Sequence, residues 1–456
     1  MGESLFADFS SSFQQVPPVS IRINRGKWSE EPIASQPVPW CTDGFYLSER
    51  PNFTFDPLFH AGCYYVQEAS SMFICQALRQ YIDDFRPLTV LDMCAAPGGK
   101  STAVLSMLPP GSVMVCNEPI RQRANVLAEN IHKWGASNTI VTNNYPDDFS
   151  RLGSSFDVIV CDVPCSGEGM FRKDEGAISE WSPQNVEKCS ALQRDIISKV
   201  WHLLKPGGLL VYSTCTFNTH EDEENVAWIC SEYDAEALSV DILPDWNITG
   251  SLLEGFDFPV YRFIPGHTKG EGIFMALLRK GGDAEVGSGS KKKEKKDKKN
   301  KRKEKISKDT VANYSSWLKK SDTFRFYETN DSIFAIPDVM VPLYDNIKGV
   351  LHILKSGITL GKIKGKDVIP HQSLAFSLDF SSEAFPNVEL DYLQAISYLR
   401  KEPISLPDDT PRGYVLVSFR QKPLGFVKNI GNRSNNLYPI EWKIKSSHVP
   451  EECRVI

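Results

Sequence analysis

Apolar and polar positions alternate along the first 280 residues with two different periods. Five short apolar runs, rich in β-branched side chains, predict buried strands at residues 88–93, 112–117, 139–142, 156–161 and 209–213. Between them, apolar or small residues near helical spacing predict helices at residues 100–108, 120–134 and 186–204, the last ended by the Lys-Pro-Gly-Gly sequence at 205–208. This alternation predicts an α/β fold with a mostly parallel sheet covered by helices.

Small residues follow the first predicted strand. Residues 94–99 read Cys-Ala-Ala-Pro-Gly-Gly before Lys100 begins a helix, so a ligand could approach the backbone at a helix N-terminus. A tight turn without a ligand would use the same residue types. The second strand is followed by Glu118, in the position where an acid commonly binds ribose hydroxyls. Together these features predict a nucleoside-type pocket at the carboxyl ends of the strands.

Two cysteines also follow predicted strands. Asp162 and Cys165 come after the fourth strand, on a loop that Pro164 makes rigid, and Cys215 follows the fifth. If these strands are neighbours, two thiols and a carboxylate meet at one edge of the sheet, where a populated thiolate is a good nucleophile. A single cysteine is usually a packing residue, but two beside an acid favour chemistry. No further His or Cys follows at zinc-ligand spacing, so we expect no metal site.

The net charge of −6 conceals an uneven distribution. Residues 1–290 carry 21 Lys and Arg against 37 Asp and Glu, a net charge of −16. Residues 291–308 carry 12 against 3, a net charge of +9. Such a basic tract is either an electrostatic footprint for nucleic acid or a solvated linker, and charge alone favours neither. Because it cannot form a core, we expect it to be disordered and to mark a domain boundary.

Several classes of protein are excluded. No apolar run approaches the ~20 residues that span a bilayer, and the first ten residues lack a secretory pattern. Eleven cysteines without a Cys-x-x-Cys pair indicate a reducing compartment, so we expect a cytoplasmic protein with no membrane association. Isolated basic residues such as Arg22 and Arg172 are expected on the solvated surface. The acidic residues 221–224 are expected at a helix N-terminus and not at a metal.

The motifs together resemble the Nop/Sun (NSUN-type) family of RNA (cytosine-5) methyltransferases, over residues 19–280. The segments that carry the resemblance are SIRIN at 20–24, AGCYYVQEASS at 61–71, CAAPGGK at 94–100, DVPC at 162–165, STCT at 213–216 and GEGIFM at 270–275. The SGEGMFRK sequence at 166–173 and the C-terminal third resemble the bacterial RsmF subgroup, which modifies 16S ribosomal RNA. There, GKIKGK at 361–366 and LGFVKNIGNRSNNLYP at 424–439 resemble parts of a PUA-like RNA-binding module.

The resemblance implies an α/β, Rossmann-like methyltransferase domain that uses S-adenosyl-L-methionine and binds RNA. It implies an N-terminal RNA-facing extension at 1–85, the methyltransferase domain at 86–281, a basic linker at 282–309 and a PUA-like α+β module at 310–456. We expect a monomer. The residues implied to bind the cofactor are Cys94, Ala95, Ala96, Pro97, Gly98, Gly99, Lys100, Glu118, Tyr145 and Asp162.

The same resemblance implies the catalytic roles. Cys215 would attack the base, Cys165 would help to release the product, and Asp162 would face both the cofactor and the target cytosine. Where the family usually has Asp beside adenine, this chain has Tyr145, so either Asn144 supplies the polar contact or the tyrosine ring stacks. The alternatives to ribosomal RNA methylation are transfer-RNA methylation and a catalytically inactive ribosome-assembly factor.

Overall fold

An antiparallel sheet of four strands, in the order β2-β3-β1-β4, forms the N-terminal part. The computed structural model describes residues 1–32, 35–282, 312–329, 331–365, 367–446, 449–450 and 455–456. The N-terminal strands are β1 (Val19–Ile23), β2 (Ser35–Val38), β3 (Cys41–Leu47) and β4 (Tyr64–Val66). The helices around them are α1 (Glu3–Ser12), α2 (Pro57–His60) and α3 (Phe73–Arg79).

Arg22 fixes this small sheet to the rest of the protein and does not lie on the surface as expected. It is 1% exposed, and its guanidinium donates to the Gln67 side chain and to the Thr102 hydroxyl, at 2.8 and 2.6 Å. The Cζ atom of the Arg22 guanidinium lies 4.4 Å from the centre of the Trp134 ring. The side chain of Arg172 is 6% exposed, and it pairs with Glu271 at 2.6 Å. Both arginines therefore hold elements together.

The central sheet has the order β10-β12-β9-β8-β5-β6-β7-β15, with β11 paired to β12. Its strands are β5 (Thr89–Asp92), β6 (Val113–Asn117), β7 (Thr139–Thr142), β8 (Phe156–Asp162), β9 (Leu204–Thr214), β10 (Ala235–Ala237), β11 (Tyr261–Phe263), β12 (Ile273–Lys280) and β15 (Ile353–Ser356). The five predicted strands are confirmed as β5 to β9, and they run parallel to one another. The predicted parallel core is therefore confirmed, and antiparallel pairings add β12, β10 and β11 beyond β9 and β15 beyond β7.

Helices cover both faces of this sheet. They are α4 (Gly99–Met107), α5 (Arg121–Trp134), α7 (Pro183–Val200) and α8 (Glu223–Glu232), whereas the short helix α6 (Glu175–Glu180) has no buried residue. Consecutive residues of one strand enter different cores: Val90 packs in one apolar cluster and Leu91 in the other. Burial on both faces explains why the strands are continuously apolar.

The helix predicted at 186–204 differs at both ends. It begins at Pro183, because the Ser182 side chain accepts from the Asn185 amide as an N-cap and proline fits the first helical turn. It ends at Val200, before a short 3₁₀ turn. The prediction that residues 205–208 end this helix is wrong, since they lie inside β9. In this part of β9 the register with β8 shifts, and Gly207 has a positive φ of 73°.

The C-terminal part contains two further four-stranded sheets, β13-β14-β16-β17 and β18-β19-β20-β21. Their strands are β13 (Phe324–Glu328), β14 (Ser332–Pro337), β16 (Ile358–Lys364), β17 (Asp367–Pro370), β18 (Asn387–Glu389), β19 (Gly413–Phe419), β20 (Lys422–Asn429) and β21 (Ser434–Asn436). The helices are α9 (Val341–Ile347), α10 (Gln372–Phe376) and α11 (Tyr392–Leu399). In the chain, β15 falls between β14 and β16 of the first of these sheets, but it pairs antiparallel with β7 of the central sheet.

The basic tract at 291–308 lies outside the described residues, as does the predicted linker at 282–309 apart from Gly282. Within the parts of the chain that are described, no helix is both long enough and apolar enough to cross a membrane. The polar side chains singled out above follow β5, β6, β8 and β9, so the functional site lies beyond the carboxyl ends of the parallel strands.

Candidate active site

The loop after β5 forms one wall of a cavity of about 180 Å³. Gly98 has a φ of 113°, a left-handed conformation that favours glycine, and α4 begins at the next residue. A wall from the N-terminal part, at residues 65–68 and Ser71, faces the loop across the cavity. The site is therefore built jointly by the N-terminal sheet and the central sheet.

Asp92, the last residue of β5, is a buried acceptor in this cavity. Its Oδ2 accepts from the Ser101 hydroxyl at 2.7 Å, while its Oδ1 is buried without a hydrogen-bond partner among the described residues. Burial raises the pKa of this carboxyl to about 7. An unpaired buried carboxylate oxygen fits a ligand that carries an ammonium group.

Asp162 joins the two halves of the site. Its Oδ2 lies 2.9 Å from the Lys100 Nζ, and its Oδ1 accepts from the Ser213 hydroxyl at 2.7 Å. Burial alone would lower the pKa of Lys100, but the charge and the hydrogen bond of Asp162, together with the charges of Cys215 and Asp92, raise it. The predicted cofactor loop, which ends at Lys100, is thereby tied to the predicted catalytic strands β8 and β9.

The two cysteines meet as the sequence predicts for neighbouring strands. The Sγ atoms of Cys165 and Cys215 are 3.2 Å apart, and the Cys215 amide donates to the Cys165 Sγ at 3.3 Å. Their hydrogen bond lowers the pKa of Cys215, assisted by Lys100, and raises the pKa of Cys165. The first proton to leave this pair therefore comes from Cys215, and Cys165 keeps its own.

Glu118 follows β6 as predicted and is 1% exposed. Its Oε1 accepts from the Ile120 amide, and its Oε2 lies 3.5 Å from the Arg123 guanidinium. The carboxylate is therefore fixed at the carboxyl end of β6, beside the small-residue loop, since the Ala95 amide donates to Asn117 of the same strand end.

Asn144 and Tyr145 follow β7 and behave differently. The Asn144 side chain is buried, and it both accepts from the His352 amide and donates to the His352 carbonyl, at 3.0 and 3.1 Å. Tyr145 is 62% exposed at the start of a 3₁₀ turn. Because the Asn144 amide is engaged with the segment that leads into β15, Tyr145 is the side chain of this pair that remains open to a ligand.

The sequence interpretation missed the structural partners of these groups. Ser213, Asp92 and Ser101 lie within quoted or neighbouring motifs, but their hydrogen bonds depend on the sheet register. Glu221 was assigned only to a helix N-terminus, and α8 does begin at Glu223, yet Glu221 itself is fully buried behind Cys165. Among the described residues, no group of three or more His, Cys, Asp and Glu side chains is arranged to hold a metal ion.

A doubly wound sheet in this strand order, with a crevice for a nucleoside cofactor at its carboxyl edge, is the architecture of S-adenosyl-L-methionine-dependent methyltransferases. Three family models match the chain. Residues 82–279 match "16S rRNA methyltransferase RsmB/F", residues 1–69 match the N-terminal domain of 16S rRNA methyltransferase RsmF, and residues 385–444 match the methyltransferase RsmF PUA domain. The chain belongs to the RsmF family of methyltransferases.

Relatives match over nearly the whole length. Ribosomal RNA small subunit methyltransferase F of Cronobacter sakazakii is 32% identical over 455 residues, which cover 95% of this chain and 92% of the relative. The protein of the same name from Shewanella loihica is 33% identical, covering 89% and 83%. The family uses S-adenosyl-L-methionine, and the orphaned Asp92 oxygen and the small-residue loop fit this cofactor, which carries an ammonium group.

Two solved structures share the fold. A methyltransferase homolog protein from Pyrococcus horikoshii is 28% identical with a TM-score of 0.51, covering 60% of this chain and 90% of that one. NSun6 from Pyrococcus horikoshii, solved with SFG, is 20% identical with a TM-score of 0.51, covering 62% and 96%. At this identity the second likeness concerns the fold alone.

Proposed function

We propose that the protein transfers a methyl group to carbon 5 of a cytosine in the RNA of the small ribosomal subunit. The observation that carries this proposal is the thiol pair, 3.2 Å apart, beside the Lys100–Asp162 ion pair at the carboxyl edge of the sheet. The names of the full-length relatives support a small-subunit ribosomal RNA substrate. The PUA match at 385–444 supports RNA as the partner.

A thiolate can make carbon 5 of the cytosine ring nucleophilic enough for methyl transfer. Carbon 5 is too weak a nucleophile to take a methyl group, but thiolate addition at carbon 6 makes an enamine whose carbon 5 can attack. Cys215 fits the attacking role, because the hydrogen bond from Cys165 lowers its pKa, and the charge of Lys100 offsets part of the opposing effects of burial and of Asp162. S-adenosyl-L-methionine supplies the methyl group.

Asp162 and Cys165 complete the cycle. Asp162 is fixed by Lys100 and Ser213, so that it can share a proton with N3 of the cytosine, which limits the negative charge that thiolate addition puts on the ring. After methyl transfer, a general base takes the carbon-5 proton and the Cys215–carbon 6 bond breaks, which restores the aromatic ring and releases Cys215 as a thiolate. Cys165 keeps its proton and donates a hydrogen bond to the departing Cys215 thiolate, which favours release.

The cofactor and the target base enter from different sides in this arrangement. We assign the loop of residues 94–100 and Glu118 to the cofactor, with Tyr145 at the adenine edge. The wall at residues 65–68 is the part of the cavity that belongs to the N-terminal extension, and we assign it to the RNA side. The target base must be unstacked to reach Cys215, which suits single-stranded loops and helix ends.

The direct test is to map 5-methylcytosine in 16S ribosomal RNA by bisulfite sequencing. A strain without the gene should lose resistance to deamination at one cytosine, and the wild-type gene should restore it. Cys215→Ala should fail to restore it, whereas Cys230→Ala, which alters a thiol on α8 outside the pair, should succeed. Loss of the mark in transfer RNA with unchanged ribosomal RNA would overturn the substrate assignment.

A further inference from the structure

Glu221 is a buried carboxylate that the proposed chemistry does not use. It lies between Cys215 and α8 and is 0% exposed. Its carboxylate accepts from the Ser166 amide at 3.0 Å, from the Gln193 side chain at 2.7 Å and from the Asn218 side chain at 2.8 Å. Within the described residues, Glu221 forms no ion pair, so its charge is stabilised by hydrogen-bond donors alone.

These three donors connect both thiol loops. Ser166 directly follows Cys165, and Asn218 lies in the loop that follows Cys215. Gln193, on α7, uses the same amide to donate to the Pro164 carbonyl at 2.9 Å. One carboxylate thus fixes the backbone on either side of the 3.2 Å contact between the thiols.

The charges around the thiol pair are arranged asymmetrically. The Lys100 ammonium and its partner Asp162 lie on the side of Cys215, whereas Glu221 lies behind Cys165. The hydrogen bond with Cys215 and burial raise the pKa of Cys165, and the negative charges of Cys215 and Glu221 raise it further. The Cys189 thiol and the Tyr212 hydroxyl are further titratable neighbours of Glu221. Burial raises the pKa of both groups, to about 11 for Cys189, and the Tyr212 hydroxyl donates to the Glu221 carbonyl at 2.6 Å.

We propose that Glu221 is a positioning residue for methyl transfer: it holds the two thiol loops in contact, and its charge keeps the shared proton on Cys165, so that Cys215 carries the negative charge. A neutral side chain would avoid the cost of burying a charge. The absence of a paired cation beside Glu221 among the described residues is explained if its negative charge determines which of the two thiols, Cys165 or Cys215, ionises. The catalytic meaning of this inference rests on the proposed function, but the ionisation of the thiols does not.

The test is the pH dependence of thiol alkylation in the full chain, without RNA. Iodoacetamide labelling followed by peptide mass spectrometry gives a separate rate for Cys165 and Cys215. In the wild type, Cys215 should react first as the pH rises. Glu221→Gln should lower the apparent pKa of Cys165 by about one unit, and so raise its labelling rate near pH 7 about tenfold.

The matched control is Glu224→Gln, which makes the same change on α8 at a residue paired with exposed His220. It should leave both labelling profiles unchanged. Cys230 serves as the internal reference thiol. Cofactor affinity and melting temperature of each variant show whether the fold is retained. A Cys165 rate that rises less than twofold in folded Glu221→Gln overturns the proposal.

A second measurement covers the case in which Glu221→Gln fails to fold. In the otherwise native chain, the thiol that remains in Cys215→Ala should titrate at higher pH than the thiol that remains in Cys165→Ala. The opposite order overturns the inference. If the labelling results hold but no 5-methylcytosine is formed in any RNA, the proposed function fails while the assignment of the proton stands.

Discussion

Asp92 and Asp162 end neighbouring strands, yet their carboxylates have different partners. Asp162 is bonded to Lys100 and Ser213, while Asp92 receives one hydrogen bond from Ser101 and leaves Oδ1 unpaired. Burial, assisted by the charge of Asp162, raises the pKa of Asp92 to about 7 although the Lys100 ammonium lowers it. At the scale of single residues, the site therefore contains one carboxylate that is paired with a cation, that of Asp162. It contains a second, that of Asp92, which can bind a positively charged ligand.

We expect Asp92→Asn to weaken binding of S-adenosyl-L-methionine about tenfold or more, because a charge-assisted hydrogen bond is lost. Wild-type affinity should increase as the pH rises from 6 to 8, since the ionised carboxylate is the form that binds an ammonium group. Calorimetric titration measures both effects. Asp157→Asn, at the opposite end of the sheet and paired with Arg86, should leave the affinity unchanged. A flat pH profile would contradict this role.

The sequence resemblance places Tyr145 where the family usually has an acid, and the side chain of Tyr145 is exposed. We expect Tyr145→Asp to be tolerated, whereas Glu118→Ala should weaken cofactor binding because its carboxylate is fixed for a ribose contact. Cofactor affinity of the two variants decides the matter. Much weaker binding by Tyr145→Asp would show that the tyrosine ring stacks on adenine or that the adenine lies elsewhere.

At the scale of elements, β15 is one of the strands that no local pattern predicts. It comes from the C-terminal third and pairs with β7, and the His352 backbone is bonded to Asn143 and Asn144. The strand also carries Lys355, which is buried and donates to the Thr139 hydroxyl at 2.8 Å. The C-terminal part thereby holds the end of the strand that leads to the adenine side of the proposed cofactor site.

Burial lowers the pKa of Lys355 to about 7 from an ordinary value of 10.5. Between these values the unfolded chain binds a proton that the folded chain does not, so stability should rise with pH from 7 to 10. Lys355→Met should flatten that rise and stabilise the fold at pH 7 by on the order of 2 kcal/mol. Melting temperatures across this pH range measure the effect. Lys348→Met, at a more exposed lysine, should retain the wild-type slope.

The sequence predicted the elements whose patterns are local. The five parallel strands, the loop before Lys100 and the meeting of Cys165 with Cys215 follow from apolar runs and from the rule that parallel strands share a carboxyl edge. The burial of Arg22 could not be predicted, because its partners lie 45 to 84 residues away. The same holds for Glu221, whose donors come from three separate segments.

At the scale of the whole molecule, an acidic body is joined to a strongly basic tract. Residues 1–290 carry a net charge of −16 and should repel RNA at long range, while residues 291–308 carry +9. Phosphate contacts position an RNA without specifying its sequence. We therefore expect the tract to supply affinity and encounter rate, and the folded parts to choose the base.

Replacing residues 291–308 by a Gly/Ser linker of equal length should weaken RNA binding and reduce its salt dependence. Fewer counterions are released when fewer phosphates are neutralised, with a slope change of about 0.7 to 0.9 per lost contact. Binding titrations at several salt concentrations measure this, and methylated position and cofactor affinity should be unchanged. An unchanged salt slope would show that the tract is only a tether.

The covalent role of Cys215 is tested most directly by the protein–RNA adduct that survives denaturing electrophoresis. Cys165→Ala removes a hydrogen bond that favours the Cys215 thiolate, but it should slow release more than attack, so this variant should accumulate the adduct with its RNA and S-adenosyl-L-methionine. Cys215→Ala and the double variant should form none, although they still bind the cofactor. An adduct with Cys215→Ala and none with Cys165→Ala would exchange the two roles. Adducts from neither variant, with methylation retained in both, would contradict the covalent mechanism.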